Sequence, residues 1–409
     1  MDRVILHSDL NNFYASVECL LHPELKGKCV AVCGSQETRH GIVLAKNDAA
    51  KAMGVKTAET IWQAKNKCPG LVTVSPHFEE YRKYSLLVRD IYKQYTDLIE
   101  PFGMDECWLD VTGSRLLFGD GVTIAERIRK EVKEKTGLTV SVGVSFNKIF
   151  AKLGSDMKKP DAVTEISKEN FKSKVWCLPA GDIIGVGKAT LSRLNALGIK
   201  TIGDIANTPQ EFFEKRFGKM GAYLWKNANG LDDSPVCHQD YRAPAKSIGH
   251  GRTLKEDLVN NEEVWKVIFY LCRELENSLR SKSLMAATCS VSVKTSDLGV
   301  KEYQTPLKVP THSAYEIALA LFALFKHKHN WDKNVRAITV RAVKLSGEND
   351  DVQMSLFNDE KTDEKRENME KTAYELENRF GKGSITYGSL LKNDKLPMKE
   401  EPDEEDLKK

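Results

Sequence analysis

Leu98-Ile99-Glu100-Pro101-Phe102-Gly103-Met104-Asp105-Glu106-Cys107-Trp108-Leu109-Asp110-Val111 is the stretch on which the fold turns. Residues 98–103 and 107–111 read as two strands, with Met104, Asp105 and Glu106 at the turn between them. Just upstream, Tyr81, Tyr84, Val88, Ile91 and Tyr95 recur at steps of three and four, which predicts a helix over 79–95 with a core-packed tyrosine face. Near the start, residues 3–8 form a short apolar run, a buried strand that ends at Asp9, and a helix follows over 12–21. Downstream come a helix over 121–135 and an alternating strand over 139–145. The order is strand, helix, strand, strand, helix, strand, with an insertion before the tyrosine helix. That order predicts an α+β, ferredoxin-like sheet carrying an inserted subdomain. The insertion reads as strands over 30–33, 41–44 and 71–75 and a short helix over 47–53 stopped by Gly54.

Beyond Pro160 the pattern turns helical and glycine-punctuated to about Leu231. Residues 232–245, with two prolines, read as a linker. A second αβ unit is expected from Lys246, with helices over 264–279 and 313–325 and strands over 287–294 and 337–343. With 409 residues, two to four domains are expected. Residues 347–409 hold 18 acidic and 11 basic residues, net −7, so against a total of +3 the preceding part carries +10. Residues 246–346 alone carry 16 basic and 10 acidic residues. A basic body with an acidic tail suits a polyanionic ligand. No run of ~18 apolar residues is present, which argues against a membrane span. Residues 1–6 lack the basic and apolar stretches of a signal peptide, so a cytoplasmic protein is expected. The nine cysteines form no Cys-x-x-Cys pair, which argues against zinc and for reduced thiols. A helix over 364–379 is expected inside the tail.

If the first strand and the hairpin share a sheet, Asp9, Asp105 and Glu106 meet at one edge. Three close carboxylates repel each other. Magnesium relieves that repulsion through hard oxygen ligands, and two such ions ~3.5–4 Å apart clamp the oxygens of a phosphoryl transfer. The plain alternative is that Asp105 and Glu106 cap a turn and Asp9 caps a helix. His7, two residues before Asp9, reads as a structural histidine.

Asp9-Leu10-Asn11-Asn12-Phe13-Tyr14-Ala15-Ser16-Val17-Glu18 resembles the first motif of the Y-family DNA polymerases. Met104-Asp105-Glu106-Cys107-Trp108-Leu109-Asp110 resembles their second. Ser141-Val142-Gly143-Val144-Ser145-Phe146-Asn147-Lys148, then Ala151-Lys152, Ser155-Asp156 and Lys158-Lys159-Pro160, resembles their third. The likeness runs to about Leu345 and is greatest to the bacterial DNA polymerase IV type.

The resemblance implies a right-hand polymerase with a palm over 1–18 and 78–166, small fingers over 19–77, a helical thumb over 167–231, a linker over 232–245 and a separate αβ little finger over 246–346. It implies template-directed, low-fidelity translesion synthesis from dNTPs on primer-template DNA, by a monomer. Asp9, Asp105 and Glu106 would be metal ligands, with the backbone carbonyl of Leu10. The cofactor would be two Mg2+ ions, with Mn2+ able to substitute. Tyr14 matches the steric gate against a ribose 2′-OH, Phe13 would shape the sugar pocket, and Lys159 would neutralise the triphosphate. The fingers depart from the pattern: Asp48 stands at the family's tyrosine and Lys51 at its arginine, so Lys46 becomes a further candidate. Gly185, Gly187 and Lys188 resemble a helix-hairpin-helix that meets DNA phosphate, and Lys246 and Ser247 the start of the little finger. Gln353, Leu356 and Phe357 resemble a peptide that binds the sliding clamp, the β subunit. The rivals are a nucleotidyl cyclase and a catalytically degenerate, clamp-bound DNA-binding protein.

Overall fold

The computed structural model describes residues 2–35, 39, 41–348, 360–381, 383–390 and 395. Among these residues, 2–34 and 42–242 form one compact unit, and the others, which include Ser35, Arg39 and Gly41, form a second.

The first unit opens with β1 (Ile5–Leu10) and α1 (Phe13–Leu21), then β2 (Val30–Cys33), β3 (Val43–Lys46), α2 (Asp48–Ala52), α3 (Ile61–Lys67) and β4 (Val72–Val74). It continues through α4 (Phe78–Tyr92), β5 (Ile99–Pro101), β6 (Glu106–Asp110), α5 (Arg115–Phe118), α6 (Gly121–Thr136), β7 (Val140–Ser145), α7 (Lys148–Met157) and β8 (Val163–Ile166). Its sheet runs β5-β6-β1-β7-β8. Without β8 this is the ferredoxin-like order, and β8 adds a fifth strand parallel to β7. Alternation along β1 splits the core. Leu6 and Leu10 pack with Tyr81, Val88, Ile124 and Ile128 of α4 and α6. Ile5 faces the other way, with Trp108 and Ala151 of α7.

Gly143 explains how α7 lies so close. A Cβ there would stand 1.8 Å from the carbonyl oxygen of Ala151, so only glycine lets the helix backbone rest on β7. Asn147 caps α7 by accepting from the Phe150 amide. Lys148 ion-pairs with Glu100 at 2.6 Å, and Trp108 Nε1 donates to the Lys148 carbonyl at 3.0 Å. These bonds fix the α7 start against β5 and β6.

Residues 19–77 hold a small sheet, β3-β2-β4, with its own apolar core of Ala31, Val43, Ile61 and Leu71. Helix α3 was not expected; Thr60 and Gln63 close a capping box at its start. After β8 come α8 (Phe171–Val175), α9 (Lys188–Ala196), α10 (Ile202–Asn207), α11 (Gln210–Phe217) and α12 (Lys219–Ala228), around Leu194, Ile202, Ile205, Phe213 and Leu224. The stretch expected as a linker is packed in its first half. Val236 is buried, the Ser234 carbonyl accepts from Arg3 at 2.7 Å, and the Cys237 amide donates to Glu100 at 3.0 Å.

The second unit holds β9 (Ser247–Leu258), α13 (Asn261–Arg280), β10 (Leu284–Thr295), β11 (Val300–Thr311), α14 (Ala314–Lys328), β12 (Val335–Gly347) and α15 (Glu360–Phe380). Its sheet order, β11-β10-β12-β9, differs from that of the first sheet although the element order is alike. Helices α13 and α14 cover the sheet through Val267, Leu271, Leu275, Ile317, Leu321 and Phe325. The tail helix α15 docks on the same unit: Arg280 pairs with Glu367 at 2.7 Å, and Arg273 with Glu377 at 2.8 Å. Among the described residues, no helix is long and apolar enough to cross a membrane.

Candidate active site

Asp9 and Glu106 are cross-strand partners, because β1 pairs antiparallel with β6 in the register Asp9↔Glu106. Directly opposed residues place their Cβ atoms ~4.5–5.5 Å apart. Asp105 precedes β6, and its carbonyl accepts the Leu10 amide at 3.0 Å. The three carboxylates therefore share one sheet edge, as expected. Glu106 lies in the strand rather than at the turn, since the ladder continues through it.

Two lysines from the α7 side meet this edge. Lys159 Nζ sits 2.7 Å from Asp9 Oδ2 and 2.8 Å from Asp156. Lys152 pairs with Glu106. His7, fully buried, holds Ser155 Oγ at 2.8 Å and stands 3.2 Å from Glu106. Burial lowers the His7 pKa, so the ring is neutral and structural.

The charges are unevenly matched. Burial would raise Glu106, but the adjacent His7 ring and the Lys152 ammonium outweigh it and hold the carboxyl down at about 2. Burial lifts Asp9 above the usual carboxylate range against the pull of Lys159. Asp105 is pushed up to about 6, first by burial and then by Asp9 and Glu106. Among the described residues no cationic side chain ion-pairs with Asp105. The edge is thus a set of hard oxygen donors short of positive charge, a donor set that fits divalent cations.

Beside it, Tyr14 stacks on Tyr81 with ring centroids 4.3 Å apart, and its hydroxyl points to Met104 Sδ at 3.6 Å. Phe13 is buried beneath, its ring 5.5 Å from that of Tyr14. Asn11, whose part no local sequence signal reveals, donates to Ser141 Oγ and accepts from the Asp161 amide, and so ties β1 to the turn after Lys159. Lys152 was likewise unassigned, though it stands inside the third motif.

The remaining sequence-predicted residues have the following surroundings. Lys46 bonds Thr57 at 3.0 Å. Asp48 and Lys51 are exposed on α2, with Asp48 in its first turn, where a carboxylate favours the helix dipole. Gly185 takes φ +92°, a conformation that favours glycine, and Gly187 precedes Lys188 at the start of α9. Ser247 opens β9 with Lys246 just before it. Gln353, Leu356 and Phe357 lie outside the described residues.

The profile of the impB/mucB/samB family matches residues 8–156, and that of its C-terminal domain residues 245–356. A third profile, DNA polymerase-iota thumb domain, matches residues 181–232. The DNA polymerase IV of Acetivibrio thermocellus is 51% identical over 393 residues, covering 96% of this chain and 98% of that one. The chain belongs to the Y-family of DNA polymerases. DNA polymerase IV 2 of Bacillus subtilis is 37% identical, with 95% of each chain covered. A solved Y-family DNA polymerase chimera superposes with a TM-score of 0.73 at 28% identity, covering 83% of this chain and 98% of that one. Most of the fold of this Y-family chain is therefore shared with that chimera.

Proposed function

We propose that this Y-family chain is a DNA-directed DNA polymerase of the translesion type, extending a primer 3′-OH with dNTPs across from a template. One observation carries the reading at this site: three carboxylates at the ends of two adjoining strands, of which Asp105, just before β6, has no cationic partner among the described residues. Asp9, Asp105, Glu106 and the Leu10 carbonyl would hold two Mg2+ ions, or Mn2+ in their place. Bound there, the ions supply the positive charge that the attacking and leaving oxygens of phosphoryl transfer require.

The chain's own residues do the rest. Lys152 and His7 keep Glu106 ionised and oriented. Lys159 holds Asp9 in the free enzyme and is within reach to turn to an arriving triphosphate. Tyr14, backed by the stacked Tyr81, presents a flat wall to the sugar C2′, with Phe13 fixing it from below. Lys46 and Lys51 add charge from the small sheet unit, while Asp48 serves the α2 N-terminus instead of the nucleotide.

The first sheet with α4, α6 and α7 is the palm, residues 19–77 the fingers, 167–231 the thumb, and 246–346 the little finger. Gly185, Gly187, Lys188, Lys246 and Ser247 grip DNA through backbone and charge without reading bases. Gln353, Leu356 and Phe357 engage a sliding clamp. The protein works as a cytoplasmic monomer.

Primer extension on undamaged and damaged templates, with Mg2+ or with chelator, tests the reading. Metal-dependent incorporation that continues past the lesion is expected. DNA binding without incorporation in either Mg2+ or Mn2+ would instead mean a degenerate site.

A further inference from the structure

Away from the carboxylate edge, three other side chains converge. Glu18 lies in the last turns of α1, and its carboxylate is wholly buried. His22 follows four residues later at the C-cap, on the same helix face. His77 comes from the start of α4, far away in sequence. His77 Nδ1 stands 2.9 and 3.1 Å from the two Glu18 oxygens, and His22 Nε2 is 3.9 Å from Oε2. One donor atom from each residue lies within 4.8 Å of the other two.

We propose that Glu18, His22 and His77 form a binding site for one divalent transition cation of the zinc class, separate from the catalytic ions. Two imidazoles with one carboxylate are a donor set that suits zinc, cobalt or nickel better than magnesium or calcium. Ligand atoms that share a tetrahedral zinc at ~2.0–2.2 Å stand about 3.3 Å apart. The carboxylate-to-imidazole distances here straddle that value. Both rings are roughly half exposed, so small rotations complete the triangle and leave outward positions for water.

A fourth residue supports a ligand role for His22. Its second nitrogen, Nδ1, faces Glu24 Oε1 at 3.4 Å. A carboxylate on the far nitrogen fixes the tautomer and ring orientation of a metal-bound histidine, leaving Nε2 free to ligate. The cation also answers a charge problem, since Glu18 is a fully buried carboxylate whose other close partner is the neutral Tyr81 hydroxyl. The cysteine spacing that argued against zinc has no bearing here, because no thiol takes part. Helical spacing pairs Glu18 with His22, but only the fold brings in His77.

The site also touches the sugar wall. Tyr81 donates to Glu18 and stacks on Tyr14, so an ion at Glu18 pins the ring that backs Tyr14. This consequence rests on Tyr14 being the sugar gate; the binding site does not.

Zinc titration of the chelator-stripped full-length chain, in excess magnesium to fill the catalytic carboxylates, tests the proposal. The native chain is expected to bind one more zinc than the His22→Asn/His77→Asn variant. Zinc should raise the melting temperature of the native chain only, and cobalt should give a visible imidazole-type spectrum that the variant lacks. Equal zinc counts and equal melting shifts in the two proteins would overturn the site. If the double variant fails to fold, His22→Asn alone decides. A tenfold or greater loss of zinc affinity supports the site, and unchanged affinity overturns it. Neither readout depends on polymerase activity.

Discussion

Asp105 is the residue whose charge the site leaves unbalanced, which makes it the sharpest test of the catalytic edge. Asparagine keeps its size and removes the charge. If Asp105 holds a cation worth several kcal/mol to the transition state, Asp105→Asn should slow incorporation by about 10³-fold or more. Primer-template affinity should stay close to native if, as proposed, DNA is gripped by other residues. Parallel loss of affinity and rate would remove Asp105 from that role. If Tyr14 is the sugar gate it acts by bulk, and a pocket contact of this kind discriminates by about 1–3 kcal/mol. Tyr14→Ala should therefore raise ribonucleotide incorporation by about 10–200-fold, read from dNTP and rNTP insertion rates; unchanged sugar selectivity contradicts the gate. The grouping of Asp9, Asp105 and Glu106 was legible in sequence because these carboxylates sit inside contiguous motifs. Glu18 with His77, and Asn11 with Asp161, were not, because those partners meet only after folding.

At the scale of elements, the close seat of α7 on β7 depends on Gly143. Any Cβ there forces the helix outward, and overpacking of this kind costs about 1–3 kcal/mol. Gly143→Ala should lower stability by that amount in urea unfolding, and should weaken incorporation even where the chain remains folded, since α7 carries Lys152 and Ser155. Native activity with native stability would mean that the helix shifts at no cost. The docking of α15 gives a pH-dependent case. Burial and the neighbouring Glu370 push Glu276 up to about 7 from an ordinary 4.5, against the pull of Arg280 at 2.8 Å. A raised carboxyl pKa means that stability is full below about 4.5 and is lost as pH rises through about 7, by about 3 kcal/mol at most. Glu276→Gln cannot ionise, so it should melt at or above the native temperature at pH 8 and lose that advantage at pH 5. Parallel melting curves across this range would contradict the linkage. Two of the strands that local pattern does not reveal have physical reasons. β11 is an edge strand whose Pro306 and Pro310 read as breakers. β8 has only four residues and directly follows a proline-marked turn. Long amphipathic helices such as α4 and α13 were plain, because their apolar faces repeat over several turns.

Across the whole molecule, charge is segregated, with a net −7 in residues 347–409 against +10 in the rest. Part of that acidic stretch is spent internally, since Glu367 and Glu377 of α15 bind Arg280 and Arg273. Gln353, Leu356 and Phe357 fall between β12 and α15, two elements of the same unit. A peptide in that position is tied to the polymerase at both ends, so a clamp that captured it would keep the enzyme near the primer end at high effective concentration. Such tethering adds nothing to the chemistry of one insertion. Replacing Leu356 and Phe357 by alanine should leave insertion by the free enzyme unchanged, and with it thermal stability. The same change should abolish any gain in product length that adding a loaded clamp gives. Primer extension with and without clamp separates the two outcomes. An equal loss in both reactions would mean that Leu356 and Phe357 serve their own unit instead of a partner.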